Sequence, residues 1–275
     1  MNSTPANPII VASDLSGEAD MALSRGCQLS KRLGAPLIVL HVIDSGARED
    51  LMRAETQLQK QIARCPDRQN IEARLYVQAG NPAQVIVAVS KKENAALLVM
   101  GRHHKKGPER FVGTTLEKVS RLATVPTLLA TSETPEYRCA MLALDFSAYA
   151  SEALRVAAML LDGGKLHALH VSNPPSEAIT SKAGKDFIAE QQRVLELLIA
   201  DEQETLDMLG IRRPEVHLLV ESGEVRSRLE QTAERLRPDF VALGCHSRSG
   251  LEEALIGSLA KALMQNPPCD LLVTR

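Results

Sequence analysis

The chain is poor in aromatic side chains and carries almost no net charge. Only 3% of its residues are aromatic, and tryptophan is absent. Recognition of single-stranded nucleic acid commonly uses exposed aromatic side chains beside basic ones, so that class of partner is not expected. Lysine and arginine number 32 against 34 aspartate and glutamate residues, and the net charge of −2 gives no general attraction to nucleic acid or to an anionic membrane.

Long apolar runs and targeting patterns are also missing. No apolar run approaches the roughly 18 residues that a membrane helix needs. The segment from Met1 to Pro5 does not have the basic stretch and following apolar core of a signal peptide. We therefore expect a cytoplasmic protein with no membrane partner.

Cysteine usage excludes two further classes of protein. The chain has five cysteines, an odd number, and no pair has the spacing of a CxxC motif. Neither a disulfide framework nor a zinc site is indicated. We interpret most of these residues as small buried apolar side chains or free thiols.

The length of 275 residues, with 44% hydrophobic and 24% charged residues, favours two soluble globular domains.

An internal repeat dominates the sequence. The first half has the run PIIVASD ending at Asp14, and the second has CAMLALD ending at Asp145. A His-Val pair comes next in each half, followed by LYVQAG or LLVESG. An apolar run ending at Gly101 or Gly244 follows, and the last landmark is a Gly-Thr or Gly-Ser pair. Five landmarks in one order are evidence of a duplicated unit.

Each half alternates short apolar runs with longer amphipathic stretches, which is typical of a parallel sheet covered by helices on both faces. In the first half this predicts strands at 8–13, 36–42, 71–77, 96–100 and 127–131, and helices at 16–33, 48–64, 81–92 and 113–123. The second half predicts a longer second helix, at about 185–209. Ser16 and Ser147 are predicted helix N-caps. The polar segment 132–138 is the predicted linker, which gives domains 1–132 and 138–275.

In such sheets ligands bind beyond the carboxyl ends of the strands, where the strand order reverses. Each half brings to this edge the aspartate after its first strand, the glycine that ends its fourth strand, and the Gly-Thr or Gly-Ser that opens its last helix. The last feature predicts an anion site, because Gly257 lets a ligand approach the backbone and the amides after Ser258 are free at a helix N-terminus.

Structural explanations remain open for each of these residues. A glycine after a strand can serve simply as a turn, a serine that opens a helix can serve simply as a cap, and the aspartate can support the next helix.

Adjacent His103 and His104 point apart, so no metal site is predicted in the basic loop that contains them. His41 and His170, at the ends of apolar strands, are interpreted as structural histidines. No P-loop and no dinucleotide-binding fingerprint occurs, and no catalytic residue is predicted.

Taken together, these motifs resemble the universal stress protein family in its tandem two-domain form. The second half reads Gly244-x-x-Ser247-x9-Gly257-Ser258, which keeps the spacing of the family's ATP-binding branch but has serine in place of the second glycine. The first half reads Gly101-x-x-His104-x8-Gly113-Thr114, with histidine in place of that glycine and a loop one residue shorter. The second site therefore ranks above the first.

The resemblance implies two Rossmann-like, adenine nucleotide alpha hydrolase-like domains, each a doubly wound five-stranded parallel sheet, packed about a pseudo-twofold axis. It also implies that ATP or a related adenine nucleotide, with or without Mg²⁺, is the ligand. The residues implied to bind it in the second half are Asp145, Val171, Gly244, His246, Ser247, Gly257 and Ser258. Their counterparts in the first half are Asp14, Val42, Gly101, His103, Gly113 and Thr114.

The leading hypothesis is a stress-response sensor or regulator that binds nucleotide in at least the second domain and hydrolyses it slowly at most, so it is not an enzyme. The alternative is a nucleotide-free stress-response module that acts through protein partners. A true nucleotide hydrolase is a third class, which the absence of an evident general base disfavours. The sequence leaves open whether the chain also forms a homodimer.

Overall fold

A computed structural model describes residues 7–44, 46–68, 71–102, 115–133, 136–172, 181–245 and 257–275 of the chain. The described residues form two compact units, and the chain passes from the first unit to the second between Glu136 and Tyr137. The boundaries predicted from the sequence, 1–132 and 138–275, remain a prediction.

The first unit alternates strands and helices. Its strands are β1 (Ile9–Ser13), β2 (Leu37–Ile43), β3 (Ala73–Ala79), β4 (Leu97–Gly101) and β5 (Thr127–Ala130). Its helices are α1 (Gly17–Leu33), α2 (Arg48–Arg64), α3 (Pro82–Lys92) and α4 (Thr115–Leu122), and a short 3-10 helix covers Pro66–Arg68.

The second unit has the same plan. Its strands are β6 (Cys139–Ala143), β7 (Lys165–Ser172), β8 (Glu215–Ser222), β9 (Phe240–Gly244) and β10 (Asp270–Thr274). Its helices are α5 (Ala148–Leu161), α6 (Lys182–Met208), α7 (Val225–Leu236) and α8 (Ser258–Gln265).

Within each unit the strands form a parallel sheet in one shared order. The first unit runs β3-β2-β1-β4-β5, and the second runs β8-β7-β6-β9-β10. The first strand of each unit, β1 or β6, therefore lies between the second and fourth strands, with all pairings parallel. The direction of winding reverses beside this central strand, which opens a crevice at the carboxyl ends of the strands. The predicted α/β class with doubly wound five-stranded sheets is confirmed.

Burial on both faces explains why the strands are continuous apolar runs. Ile9, Ile10 and Val11 of β1 are all fully buried. Ile10 belongs to a core cluster with residues of β2, β4, α3 and α4. On α1, a Cβ added at Gly26 would come within 2.2 Å of the Val11 side chain, so glycine lets this helix lie close to the sheet. Each buried aliphatic side chain contributes about 1.5–3 kcal/mol by leaving water.

The helices begin where capping residues predict. Ser16 caps α1 by accepting a hydrogen bond from the Ala19 amide at 3.2 Å, and Ser147 caps α5 by accepting from the Ala150 amide at 3.1 Å. Both predicted N-caps are confirmed. Element ends agree with the sequence within about two residues, except that α6 begins three residues early at Lys182.

Candidate functional site

The turn after the central strand has the same construction in both units. Asp14 Oδ1 accepts hydrogen bonds from the Ser16 amide at 3.0 Å and from the Ser16 hydroxyl at 2.5 Å. Asp145 Oδ1 accepts from the Ser147 amide at 2.9 Å and from its hydroxyl at 2.5 Å. Both aspartates are exposed. Each serine thus links two functions, because its hydroxyl holds the carboxylate in place and caps the helix that follows.

These contacts leave one carboxylate oxygen of Asp145 available. Among the described residues, only Ser147 donates to this side chain, and both of its bonds go to Oδ1. Asp145 is exposed, and its Oδ2 accepts no hydrogen bond from the part of the chain that the structure describes. A carboxylate accepts hydrogen bonds from hydroxyl and amino groups, so this atom suits the sugar or exocyclic amine of a nucleoside.

The glycines that end β4 and β9 allow close packing of a helix. A Cβ atom on Gly101 would lie 2.4 Å from the carbonyl oxygen of Glu18, in the first turn of α1. A Cβ on Gly244 would lie 2.6 Å from the carbonyl carbon of Tyr149, in the first turn of α5. The atoms that a Cβ would meet belong to the helix backbone, which cannot move aside as the end of a flexible side chain can. Packing therefore explains both glycines without any ligand.

The histidines at the ends of the second strands are buried and bonded to the backbone. His41 Nδ1 lies 2.7 Å from the carbonyl oxygen of Ser13, and His170 Nδ1 lies 2.9 Å from that of Leu144. Since a carbonyl oxygen only accepts, Nδ1 carries the hydrogen in both rings. Their structural interpretation is confirmed. Val42 and Val171, the next residues along each strand, are half-buried at the same edge of their sheets.

The last helix of the second unit begins beside this edge. Gly257 is the N-cap of α8, and its carbonyl oxygen accepts from the Lys261 amide at 3.0 Å. The cap supplies no side-chain bond to the first turn, so the amides that follow Ser258 project from the helix end. Ser258 is exposed and is the first helical residue. Such an end attracts anions through its free amides and the helix dipole.

Several predicted site residues lie outside the described residues. They are His103, Gly113 and Thr114 in the first half, and His246 and Ser247 in the second. The described part of the first crevice brings together Asp14, Val42 and Gly101. In the second unit the strand register places Asp145, Val171 and Gly244 at the ends of adjacent strands. Gly257 and Ser258 begin α8 in the same unit.

Sequence reasoning missed Gln61 of α2, which contacts the turn after β1. Its Oε1 accepts from the Ser13 hydroxyl at 2.6 Å, and its Nε2 donates to Asp20 Oδ1 at 2.6 Å. A longer bond of 3.4 Å reaches the carbonyl oxygen of Ser16. Gln61 is 8% exposed. A polar residue on the apolar face of α2 was the available signal, since buried polar groups need partners.

Phe146 was also missed, although the protein has only four phenylalanines. It follows Asp145 directly, is 48% exposed, and its ring centroid lies 5.3 Å from that of His170. An exposed aromatic ring offers a flat apolar face to a planar ligand such as a purine base. Leu15 stands at the corresponding place in the first unit, with a positive φ of 64°.

The described residues contain neither a metal-binding cluster nor a membrane-spanning helix. In the part of the chain that the structure describes, no group of three histidine, cysteine, aspartate or glutamate side chains is arranged to hold a metal ion. No described helix combines the length and the apolar character needed to cross a membrane.

Comparison with known proteins identifies the repeated unit. A sequence profile of the universal stress protein family matches the chain twice, over residues 6–131 and 136–275. No curated protein sequence matches the chain.

Solved structures share the fold over nearly the whole chain. A universal stress protein of Archaeoglobus fulgidus DSM 4304 superposes with a TM-score of 0.73 at 21% identity, covering 99% of each chain. A protein of Pseudomonas aeruginosa UCBPP-PA14, provisionally named a universal stress protein, superposes with a TM-score of 0.61 at 19% identity, covering 98% of this chain and 92% of the other. At these identities the likeness shows the fold alone. Because the family profile matches each unit in turn, the chain belongs to the universal stress protein family, as a tandem two-domain member.

Proposed function

We propose that the chain binds ATP or a related adenine nucleotide in the second crevice, beyond the ends of β6 and β9, and acts as a stress-response sensor or regulator. The observation that carries this proposal is the exposed carboxylate of Asp145 at the carboxyl edge of the sheet, which Ser147 holds through Oδ1. The start of α8, where Gly257 makes no side-chain cap bond, is proposed as an anion site in the same unit, since helix N-termini attract anions.

In this proposal the nucleoside lies against the turn after β6. Asp145 Oδ2 accepts a hydrogen bond from a ribose hydroxyl or from the exocyclic amine of adenine. Phe146 offers its exposed face to the base. Val171, half-buried at the end of β7, lies at the same edge of the sheet.

The phosphates reach the start of α8, where Gly257 and Ser258 begin the helix. His246 and Ser247 are proposed to lie along the same path, since the spacing of the motif places them between β9 and α8. Mg²⁺ commonly keeps several waters and binds substrate phosphates with one or two carboxylates. A metal ion that arrives with the nucleotide would therefore be held mainly by the phosphates and by water.

The residues of the crevice serve binding better than turnover. We expect hydrolysis well below about 1 s⁻¹, the low end of ordinary enzymes. A regulatory role needs only that nucleotide stabilise one state of the protein over another, by the difference in its affinity for the two.

Calorimetric titration of the purified chain with ATP and Mg²⁺ tests the proposal, and Ser258→Asp is the informative variant. An acidic residue in the first helical turn favours the helix but repels phosphate. We expect at least a tenfold loss of ATP affinity, about 1.4 kcal/mol, and unchanged affinity for adenosine. Ser258→Ala is the matched control and should lose much less affinity for ATP, because it removes one hydroxyl but adds no negative charge.

Absence of heat at millimolar ATP, with no nucleotide released from the denatured protein, would refute nucleotide binding. That outcome would favour the module that acts through protein partners alone. Equal binding of ATP and GTP would refute recognition of adenine while leaving the phosphate site in place.

A further inference from the structure

Two cysteines of the first unit are in contact although 38 residues separate them in sequence. The Sγ atoms of Cys27, on α1, and Cys65, which follows α2, lie 3.8 Å apart. Cys27 is fully buried and Cys65 is half-buried. A disulfide bond needs about 2.05 Å between sulfur atoms. The two sulfurs are thus in contact but not bonded, and a bond between them requires the two side chains to move closer.

The contact belongs to a built junction between α1 and the turn after α2. Asp67, in the 3-10 helix that follows Cys65, accepts hydrogen bonds from two α1 side chains, the hydroxyl of Ser24 and Nε2 of Gln28, the latter at 3.1 Å. The Cys65 amide donates to the carbonyl oxygen of Ile62 at 3.1 Å. These bonds fix the turn against α1 and hold Cys65 opposite Cys27.

The surroundings make the two thiols chemically unequal. The pKa of Cys65 is lowered to about 7, chiefly because its sulfur shares a hydrogen bond with Cys27, and also because it accepts from the backbone amides of Asp67 and Arg68. The pKa of Cys27 is raised well above its usual range by the same hydrogen bond and by burial. At neutral pH Cys65 is therefore the nucleophile, because the thiolate is the reactive form, and Cys27 keeps its proton.

Access from solvent is open at Cys65. A surface pocket of about 810 Å³ is lined by Cys65 together with Arg64, Pro66, Arg68 and Glu72. Both arginines are exposed. The charged side chains that line this pocket are two arginines and one glutamate, so the excess of positive charge favours an approaching molecule that carries carboxylates.

We propose that Cys65 and Cys27 form a redox-active dithiol that exchanges with small disulfides bearing carboxylates. The Cys65 thiolate attacks one sulfur of the small disulfide, a protein–ligand disulfide forms, and the other sulfur leaves as a thiolate that takes up a proton. Cys27 then gives its proton to solvent and attacks Cys65 Sγ. The second small thiolate leaves, so two protein thiols are oxidised to one disulfide and the small disulfide is reduced to two thiols.

The resulting bond would act close to the first crevice. Gln61 lies one helical turn before Cys65 and contacts the Ser13 hydroxyl and Asp20 Oδ1, at the turn after β1. A covalent link between α1 and the end of α2 restrains the two elements that hold this turn. The second unit has Ala158 at the position of α5 that corresponds to Cys27 when Ser147 is aligned with Ser16.

Oxidised glutathione is a suitable probe for the full chain. After complete reduction, the chain is equilibrated with glutathione buffers of rising oxidised fraction, acid-quenched and analysed as intact protein and as peptides. Wild type should lose two of its five thiols, lose two hydrogen atoms in mass and retain no glutathione, and its peptides should join Cys27 to Cys65.

Variants separate the two roles. Cys27→Ala should stop at one glutathione on Cys65, because the resolving thiol is gone, and Cys65→Ser should react at least tenfold more slowly with no adduct in this region. Cys139→Ser is the matched control and should behave as wild type. Circular dichroism establishes that each variant is folded. Five free thiols in wild type at a high oxidised fraction, or an unmodified Cys65 in folded Cys27→Ala, would overturn the proposal.

Discussion

The two units share their backbone plan but differ in the side chains that support it. Each has the same sheet order, a serine-capped turn after its central strand and a buried histidine bonded to that turn. The glycines after β3 and β8 also correspond, since Gly80 and Gly223 both have φ near 140°, which L side chains rarely adopt. Features present twice are therefore those that the fold requires.

The two units differ in the side-chain interactions that hold the second helix of each unit against the first. In the first unit Gln61 of α2, an uncharged residue, accepts one hydrogen bond from the Ser13 hydroxyl and donates one to the Asp20 carboxylate. In the second unit Glu202 of α6 forms a two-point ion pair with Arg155 of α5, with bonds of 2.7 and 3.0 Å. The comparison teaches that the strand-end glycines are explained by packing and are no evidence for a ligand. The two units differ instead in the side chains that join their helices.

The largest expected effect tests what the units share. Gly101→Ala and Gly244→Ala should each destabilise their own unit by about 3 kcal/mol, because the new Cβ meets helix backbone at 2.4–2.6 Å and overpacking forces the helix away. Urea unfolding followed by circular dichroism measures the loss. Gly17→Ala has open space around its Cβ and should be nearly neutral. A neutral Gly244→Ala would remove the packing explanation.

The next effect tests how the units differ. Arg155→Met should cost the second unit about 3 kcal/mol, because it leaves the Glu202 carboxylate, 6% exposed, without its partner. Gln61→Leu should cost the first unit only about 1–2 kcal/mol, since mainly neutral hydrogen bonds are lost. Unfolding free energies measured in the same buffer compare the two. Equal costs would contradict the distinction between an ionic and a neutral junction.

Cysteine reactivity gives a pH-dependent contrast between the units. Because the pKa of Cys65 is about 7, its alkylation should slow roughly tenfold from pH 8 to pH 6, as the proton returns to the thiolate. The Cys27 thiol lowers the pKa of Cys65 through its hydrogen bond, and the charge of the Asp67 carboxylate raises that pKa; Arg68 acts only through its backbone amide. In the second unit burial raises the pKa of Cys269 to about 12, so it should not react in this range.

Iodoacetamide labelling followed by peptide mass spectrometry measures both rates. In Cys27→Ala the half-maximal pH of Cys65 should rise, because its main hydrogen-bond partner is lost. A Cys65 rate that is flat between pH 6 and pH 8 would show that the thiolate is not stabilised.

The smallest effect tests whether the two capped turns are equivalent. Ser16→Ala and Ser147→Ala should each cost about 1 kcal/mol, the usual loss for a helix N-cap, because each serine hydroxyl caps its helix and binds the preceding aspartate. Thermal unfolding with both variants in parallel checks this. A clear difference between the two losses of stability would show that the two capped turns are not equivalent.

Local sequence signals predicted the fold well. Apolar runs gave the strands, and Ser16 and Ser147 gave the helix starts. The strand β3 was predicted two residues early because Ile71 is apolar. In the structure the Ile71 amide bonds to the carbonyl oxygen of Arg68 at 2.9 Å, which keeps it in the turn before the strand.

Contacts between helices could not be predicted in the same way. The distance between Cys27 and Cys65, and the bonds of Gln61, depend on how α2 crosses α1, which no local pattern specifies. The role of Gly101 and Gly244 was ambiguous for the same reason. Only the fold shows that helix backbone lies too close to each glycine to leave room for a Cβ atom.

Nucleotide stoichiometry is the most direct test that the two units have diverged in function. Asp145→Asn keeps an oxygen for Ser147 but turns Oδ2 into a donor, and Asp14→Asn makes the same change in the first crevice. In calorimetric titration with ATP and Mg²⁺, we expect one nucleotide per wild-type chain, at least a tenfold loss of affinity in Asp145→Asn and none in Asp14→Asn. Two nucleotides per chain, or loss of binding through Asp14→Asn alone, would contradict the account.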